Sequence, residues 1–249
     1  MMDLAFRSLV FIAIVVLFAR ALRGFEQQYF QGITAYISTG ALGLFLFLAI
    51  FSPELSPQNP YDLAQLSIMD GRLAPGEVSS ETGMPFYLGT DEQGRDILSG
   101  ILYGLRVSLT VSVIATFFAM TIGVLVGIYA AWVGGRIESI LMRMVDLQLS
   151  FPSILVALML MAAFGRGLDK VVVALVVVQW AYYARTVRGT ALSETQKDYI
   201  AAARCLGFSG ARILLRHLLP NCLPPLLVIS TIQIANTIVL ESSLSFLGV

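Results

Sequence analysis

Few side chains in this sequence are equipped for chemistry. His217 is the single histidine, and Cys205 and Cys222 are the two cysteines. No Gly-x4-Gly-Lys-Ser/Thr loop is present to cradle nucleotide phosphates, no His-Glu-x-x-His pair to hold zinc, and no Gly-x-Ser-x-Gly elbow. The chain therefore does not bind ATP in the usual way, and no catalytic residue is assigned. His217 stands in a basic polar stretch, which argues against a Ser–His protease working inside a bilayer. Asp146 and Glu241 are too isolated along the chain for a membrane enzyme that needs clustered titratable groups. The carboxylates of residues 52–100 offer charge for calcium, but the EF-hand spacing is absent and no metal site is assigned. A channel would carry a repeated polar filter or a charged ring, and neither is visible.

The strongest local pattern is the polar stretch 198–220, DYIAAARCLGFSGARILLRHLLP. Tyr199, Ala202, Ala203 and Leu206 fall at i, i+3, i+4 and i+7, one face of a helix whose small centre lets another surface approach. Gly207 follows the last periodic residue, where a helix C-cap sits. Ser209 can cap a second short helix, limited by Pro220. With Lys197, Arg204, Arg212, Arg216 and His217, the stretch reads as a basic elbow of two short helices between apolar spans. Cys205 lies within it and Cys222 just beyond it, and both are expected to be free thiols on a reducing side.

The elements around the elbow read as membrane helices. The 249 residues are 57% hydrophobic and 13% charged, against about 25% charged in soluble domains, and the mean hydropathy is +0.81. The net charge of zero suggests no nucleic-acid partner. Residues 1–32 form an N-terminal hydrophobic and amphipathic segment. Within it, the run 8–19 either crosses the membrane with help from its neighbours or lies along the interface, and residues 25–37 form an interfacial elbow. Residues 33–51 are the first core transmembrane helix. Residues 52–100 carry Glu54, Asp62, Asp70, Glu77, Glu81, Asp91, Glu92 and Asp96 against only Arg72 and Arg95, which places them outside. In this segment Thr90 and Gln93 form a capping box, and Asp91 and Arg95 pair at i, i+4. Residues 105–132 span next, with Gly123 and Gly127 as a close-approach face. Arg143 and Asp146, at i, i+3, mark the inner mouth of the following helix. Residues 148–164 span outward, 171–183 return, and Arg185 and Arg188 lie inside. Residues 223–240 cross outward, with Gln233, Asn236 and Thr237 along one flank and Glu241 a turn beyond. Gln233, Asn236 and Glu241 are the pore candidates.

Two motifs carry a resemblance to a known family. Ala201, Ala202 and Ala203, then Gly207, then His217 through Pro220 match the Glu-Ala-Ala, Gly and Ile-x-Leu-Pro pattern of binding-protein-dependent ABC transporter permeases. Ala201 replaces the glutamate and His217 the isoleucine. Gly89, Thr90, Asp91, Gly94, Arg95 and Asp96, followed by Tyr103-Gly104, Arg106 and Ser108, resemble the segment entering the second core helix in the dipeptide/oligopeptide/nickel branch. Residues 243–248, SLSFLG, resemble a further family segment. The resemblance covers residues 33–249 and lacks the family's final helix.

It implies an all-α, polytopic type I ABC importer fold, with residues 101–249 as a core that is incomplete at its C-terminus. Residues 193–221 would be the cytoplasmic coupling loop, and Tyr199, Ala201, Ala202, Ala203, Arg204, Gly207, His217 and Pro220 its functional residues. It implies a multi-pass subunit of the bacterial inner membrane that forms half of a peptide pore. The partners would be a second homologous permease, two cytoplasmic ATPases that hold the ATP and magnesium, an outer substrate-binding protein, and the lipid bilayer. Nickel, glutathione or another small solute is the alternative cargo, and a truncated inactive permease the alternative status.

Overall fold

The computed structural model describes Ser8 and residues 33–248. The expectations for residues 1–32 lie outside those residues, Ser8 apart, as does most of the interfacial elbow. The chain divides into two compact units, Met1–Leu109 and Thr110–Val249.

In the first unit, α1 (Ile33–Ile50) is apolar on every side, as a helix among lipids or other helices must be. Its 18 residues extend about 27 Å. The Ser52 hydroxyl donates to the Ala49 carbonyl at 3.1 Å, and a single turn, Ser52–Leu55, ends the run. The polar segment that follows has no strand among the described residues, only isolated bridges at Val78–Pro85 and Thr90–Asp96. It closes around buried polar groups. The Asp70 carboxylate accepts from the Ser79 hydroxyl at 2.5 Å and from the Ser80 amide and hydroxyl at 3.0 and 2.9 Å. The Ser79 bond is the main reason that carboxyl is held below its ordinary pKa.

The expected capping box at Thr90 and Gln93 does not form. The Thr90 hydroxyl donates instead to the Asp70 carbonyl and accepts from the Leu73 amide, drawn away by partners about twenty residues distant. The helix begins later, capped by Asp96, whose Oδ2 accepts from the Ser99 amide at 2.8 Å and hydroxyl at 2.6 Å. The Gln58 side chain accepts from the Asp96 amide at 2.8 Å and fixes that cap. The Asp91–Arg95 pair also fails, because Asp91 accepts the backbone N–H groups of Gln93 and Arg95. Gly94, at φ +74°, has no room for a side chain: a Cβ would overlap the Ser67 carbonyl.

α2 (Ile97–Val133) runs for 37 residues, about 55 Å, so it begins well before the expected span at residue 105 and exceeds an apolar layer of about 30 Å. The second unit packs around α5 (Leu168–Thr195), which buries Ala174, Leu175, Val178, Ala181, Tyr183, Ala184 and Val187. Gly123 and Gly127 of α2 are the reason α5 comes close. A Cβ on the first would lie 2.5 Å from the Trp180 carbonyl oxygen, and on the second 2.5 Å from that of Ala184.

Between these helices the expected continuous span 148–164 is broken. α3 (Gly135–Ser150) and α4 (Ser153–Phe164) meet at 91°. Pro152 accounts for the break, since it forces Phe151 into extended backbone (φ −89°, ψ 139°). α6 (Asp198–Cys205) is short. α7 (Gly210–Phe246) is long, and the expectation that Pro220 ends a second short helix is corrected here. Helical turns continue through it because residues 214–218 widen into a π turn, in which the Leu219 amide reaches back to the Leu214 carbonyl. The Asn221 side chain donates to the His217 carbonyl at 2.6 Å beside the same turn.

Among the described residues, three helices, α2, α5 and α7, are long and apolar enough to cross a membrane, or four spans if the bent α3–α4 pair is one. The protein is a multi-pass membrane protein built of helices.

Candidate coupling elbow and polar cavity

The elbow is held at both ends by identifiable forces. At its start the Glu194 carboxylate bridges the Lys197 ammonium and the Tyr199 hydroxyl, each at 2.6 Å. Asn221 donates to that hydroxyl at 3.2 Å, tying α6 to α7. Burial first, and the bond to Glu194 second, push the Tyr199 phenol up to about 12, so it is a neutral donor at any physiological pH. At its end the backbone turns left-handed at Gly207, φ +73°. The Phe208 amide donates to the Ala203 carbonyl at 3.2 Å and the Gly207 amide to that of Arg204 at 3.0 Å, the paired bonds of a Schellman cap. Phe208 packs beside Ile200, Ala203 and Ile213, the apolar contact that accompanies such a cap.

The buried face of α6 differs from the expected one. Ile200 and Ala203 point inward against Ile213 and Trp132, so Ala203 is not on an open docking face. Ala201, Ala202, Cys205 and Leu206 face outward, and Leu206 is 72% exposed. Tyr199 is 36% exposed, with its hydroxyl engaged. The Ser209 side chain makes no cap bond, and the Ile213 amide bonds to its carbonyl instead, at 3.1 Å.

The basic side chains lie over aromatic rings. The Arg204 guanidinium stands 5.5 Å from the Trp132 ring and that of Arg212 stands 5.3 Å from Phe208, while the His217 ring stacks on Phe208 at 6.0 Å. Trp132 also lies under the start of α7, where a Cβ on Gly210 would come within 2.9 Å of its ring. Sequence reasoning missed Trp132 and Phe208 as the elbow's seat. Phe208 sits within the motif and could have been flagged, whereas Trp132 is more than sixty residues away.

Beside the elbow's root, α3 and α5 form an open polar cleft of 530 Å³. Arg185 pairs with Asp146, and Arg188 grips Glu138 through two nitrogens. The expected i, i+3 partner of Asp146, Arg143, lines the same cleft without that pair.

A second cavity, of 300 Å³, lies between α4, α5 and α7. Ser153, Gln179, Tyr182, Gln233 and Asn236 supply its polar lining. The Gln179 amide donates to the Thr237 hydroxyl, which donates to the Gln233 carbonyl at 2.6 Å. Asn236 donates to the Gln233 side-chain oxygen at 3.1 Å. Gln233 and Asn236 are thus brought together. Glu241, the third pore candidate, is buried away from the lining. Gln179 was missed, although an amide in the middle of the apolar run 171–183 was a signal. Gly89, Thr90, Asp91, Gly94, Arg95 and Asp96 form the turn that leads into α2. Among the described residues, no three His, Cys, Asp or Glu side chains converge as a metal site would require.

Comparison with known proteins completes the description. Residues 123–249 match the family described as binding-protein-dependent transport system inner membrane component. The di/tripeptide transport system permease protein DppC of Pseudomonas aeruginosa (strain UCBPP-PA14) is 34% identical over 215 residues, covering 84% of this chain and 70% of the relative. The dipeptide transport system permease protein DppC of Bacillus subtilis (strain 168) is 38% identical over 206 residues, covering 82% and 61%. The corresponding protein of Escherichia coli (strain K12) is 37% identical over 203 residues, covering 82% and 66%. The chain thus spans between three fifths and seven tenths of the length of these relatives. Among solved structures, the inward-facing MetNI methionine ABC transporter is alike in fold at a TM-score of 0.52, with 24% identity over 57% of this chain and 72% of that one. The all-α type I importer fold that the motifs implied is the fold observed, and the chain belongs to the family of binding-protein-dependent transport system inner membrane components.

Proposed function

We propose that this chain is one of two permease subunits of an ATP-driven importer in the bacterial inner membrane, and that its cargo is di- or oligopeptides. Cargo is inferred from the relatives, whose names specify dipeptide and tripeptide transport. The observation that carries the mechanism is the elbow. It is a short helix with a rigid glycine cap, an outward surface of Ala201, Ala202, Cys205 and Leu206, and an inward surface fastened to α2 and α7. Such a part can seat in a groove of an ATPase and pass on its movement without bending. The second permease, two cytoplasmic ATPases carrying ATP and magnesium, and an external binding protein complete the assembly. Hydrolysis belongs to the ATPases, and this chain holds no cofactor. In that arrangement residues 52–100 face the binding protein.

The test is uptake in cells that express the chain with its neighbouring-gene partners, using a labelled dipeptide, with nickel and glutathione in parallel. ATP-dependent dipeptide uptake that vanishes when this chain is deleted supports the reading. Uptake of nickel or glutathione without peptide refutes the cargo. Unchanged peptide uptake after deletion refutes the role.

A further inference from the structure

The cavity between α4, α5 and α7 has a composition that narrows what it can hold. None of its lining side chains carries a charge. Its polar groups are carboxamides and hydroxyls, and its walls include Val178 and Val239. Carboxamides offer two donors and one acceptor and match the donor and acceptor of a peptide group. Charged side chains would instead select the termini or a particular side chain. One lining group is also short of a partner. Gln179 is 1% exposed and its Oε1 has no hydrogen bond among the described residues, an acceptor that a ligand N–H would relieve. The volume of 300 Å³ is at the lower end of small-ligand sites, enough for part of a short peptide. Asn236, exposed at the mouth, and Gln233 behind it already share a hydrogen bond that fixes their orientation.

We propose that this cavity is a transient subsite for the backbone amide of the translocated peptide, with the Asn236 side-chain oxygen accepting from the peptide N–H at the mouth, Gln233 holding Asn236 in place, and Gln179 supplying a further free acceptor behind it. The inference rests on the peptide-import reading. Neutral amides bind weakly in competition with water, so the cargo is held and released in one cycle. They are indifferent to side chains, so one pore serves peptides of many sequences.

The experiment uses the complete importer in liposomes, with its binding protein, both permeases and both ATPases. Initial uptake of a dipeptide is compared with that of the same dipeptide N-methylated at its peptide bond, which removes the donor. The ratio of the two rates is measured for the wild type, Asn236→Leu and Asn236→Gln. The binding protein's own preference is common to all three and cancels between them. One lost hydrogen bond corresponds to about a fivefold change. The wild type therefore prefers the unmethylated peptide, the preference shrinks about fivefold in Asn236→Leu, and Asn236→Gln restores most of it. A preference unchanged by Asn236→Leu, or absent in the wild type, overturns the subsite while leaving peptide import intact. A wild-type complex that imports no peptide overturns the import reading itself.

Discussion

Replacing Gly207 by valine perturbs the elbow without touching anything around it. A Cβ at this position meets no atom within 4 Å, so the change introduces no clash. Its cost is conformational. The backbone stands at φ +73°, where a residue with a Cβ is destabilised by about 1–2 kcal/mol, and β-branching adds to this. The chain can escape by leaving the left-handed region, but it then loses the Gly207–Arg204 and Phe208–Ala203 bonds, each about 1 kcal/mol net. Either route costs about 2 kcal/mol, roughly a thirtyfold shift away from the capped geometry. Asparagine tolerates the left-handed region, so Gly207→Asn should cost least, Gly207→Ala more and Gly207→Val most. The assay is peptide imported per ATP hydrolysed by the reconstituted importer, with monodispersity in detergent as a check on assembly. Coupling should fall in the order Asn, Ala, Val while assembly stays intact. Wild-type coupling in Gly207→Val would refute the argument that a rigid cap transmits the ATPase movement.

Two other positions test the fold directly. Gly127→Leu would drive a side chain into the α5 backbone, where even a Cβ falls 2.5 Å from the Ala184 carbonyl oxygen, so the variant should lose the folded membrane protein, read as aggregation in detergent. In the polar segment 52–100, the Asp70 carboxyl is held below its ordinary value of 3.8 by the Ser79 bond. A depressed carboxyl contributes stability that is fully present above the unfolded value and lost as pH falls through the folded one. Protease resistance of residues 52–100 should therefore drop as pH is lowered below about 4, and Asp70→Asn should flatten that dependence.

The sequence and the structure agree where local chemistry decides and part where distant partners do. Gly207 was legible because a glycine after a periodic run has one economical use, the left-handed cap. The close approach at Gly123 and Gly127 was legible for a similar reason, since small residues one turn apart only help if a neighbour comes near. The orientation of α6 was not legible. Tyr199, Ala202 and Leu206 make one apolar arc, Ile200 and Ala203 make another, and only Trp132 and Ile213 decide which is buried. Thr90 shows the same limit, since its capping pattern with Gln93 was sound locally but lost to Asp70 and Leu73. The two prolines depart from expectation in opposite directions. Pro152 lies within an expected span and breaks it, while Pro220, an expected stop, is absorbed by a π turn. A proline's effect depends on whether the ladder can re-pair around it, which the residue itself does not reveal.

In the proposed coupling, a push on the elbow would reach the cavity along two connections of the second unit. α6 rests on Trp132, at the end of α2, and on Ile213, near the start of α7, so it bears on two helices at once. Along α2 the force meets α5 at Gly123 and Gly127, where backbone lies against backbone and little can give. α5 carries Gln179 into the cavity lining. Along α7 the path is softer. The π turn at residues 214–218, Pro220, and Pro224 with Pro225 interrupt the regular ladder between the elbow and Gln233. One wall of the cavity is therefore stiffly linked to the elbow and the other compliantly. Unequal stiffness makes the two walls shift relative to each other, whereas equal stiffness would carry the cavity along unchanged. The Gln179–Thr237 bond joins the two walls and is the first contact such a shift would strain.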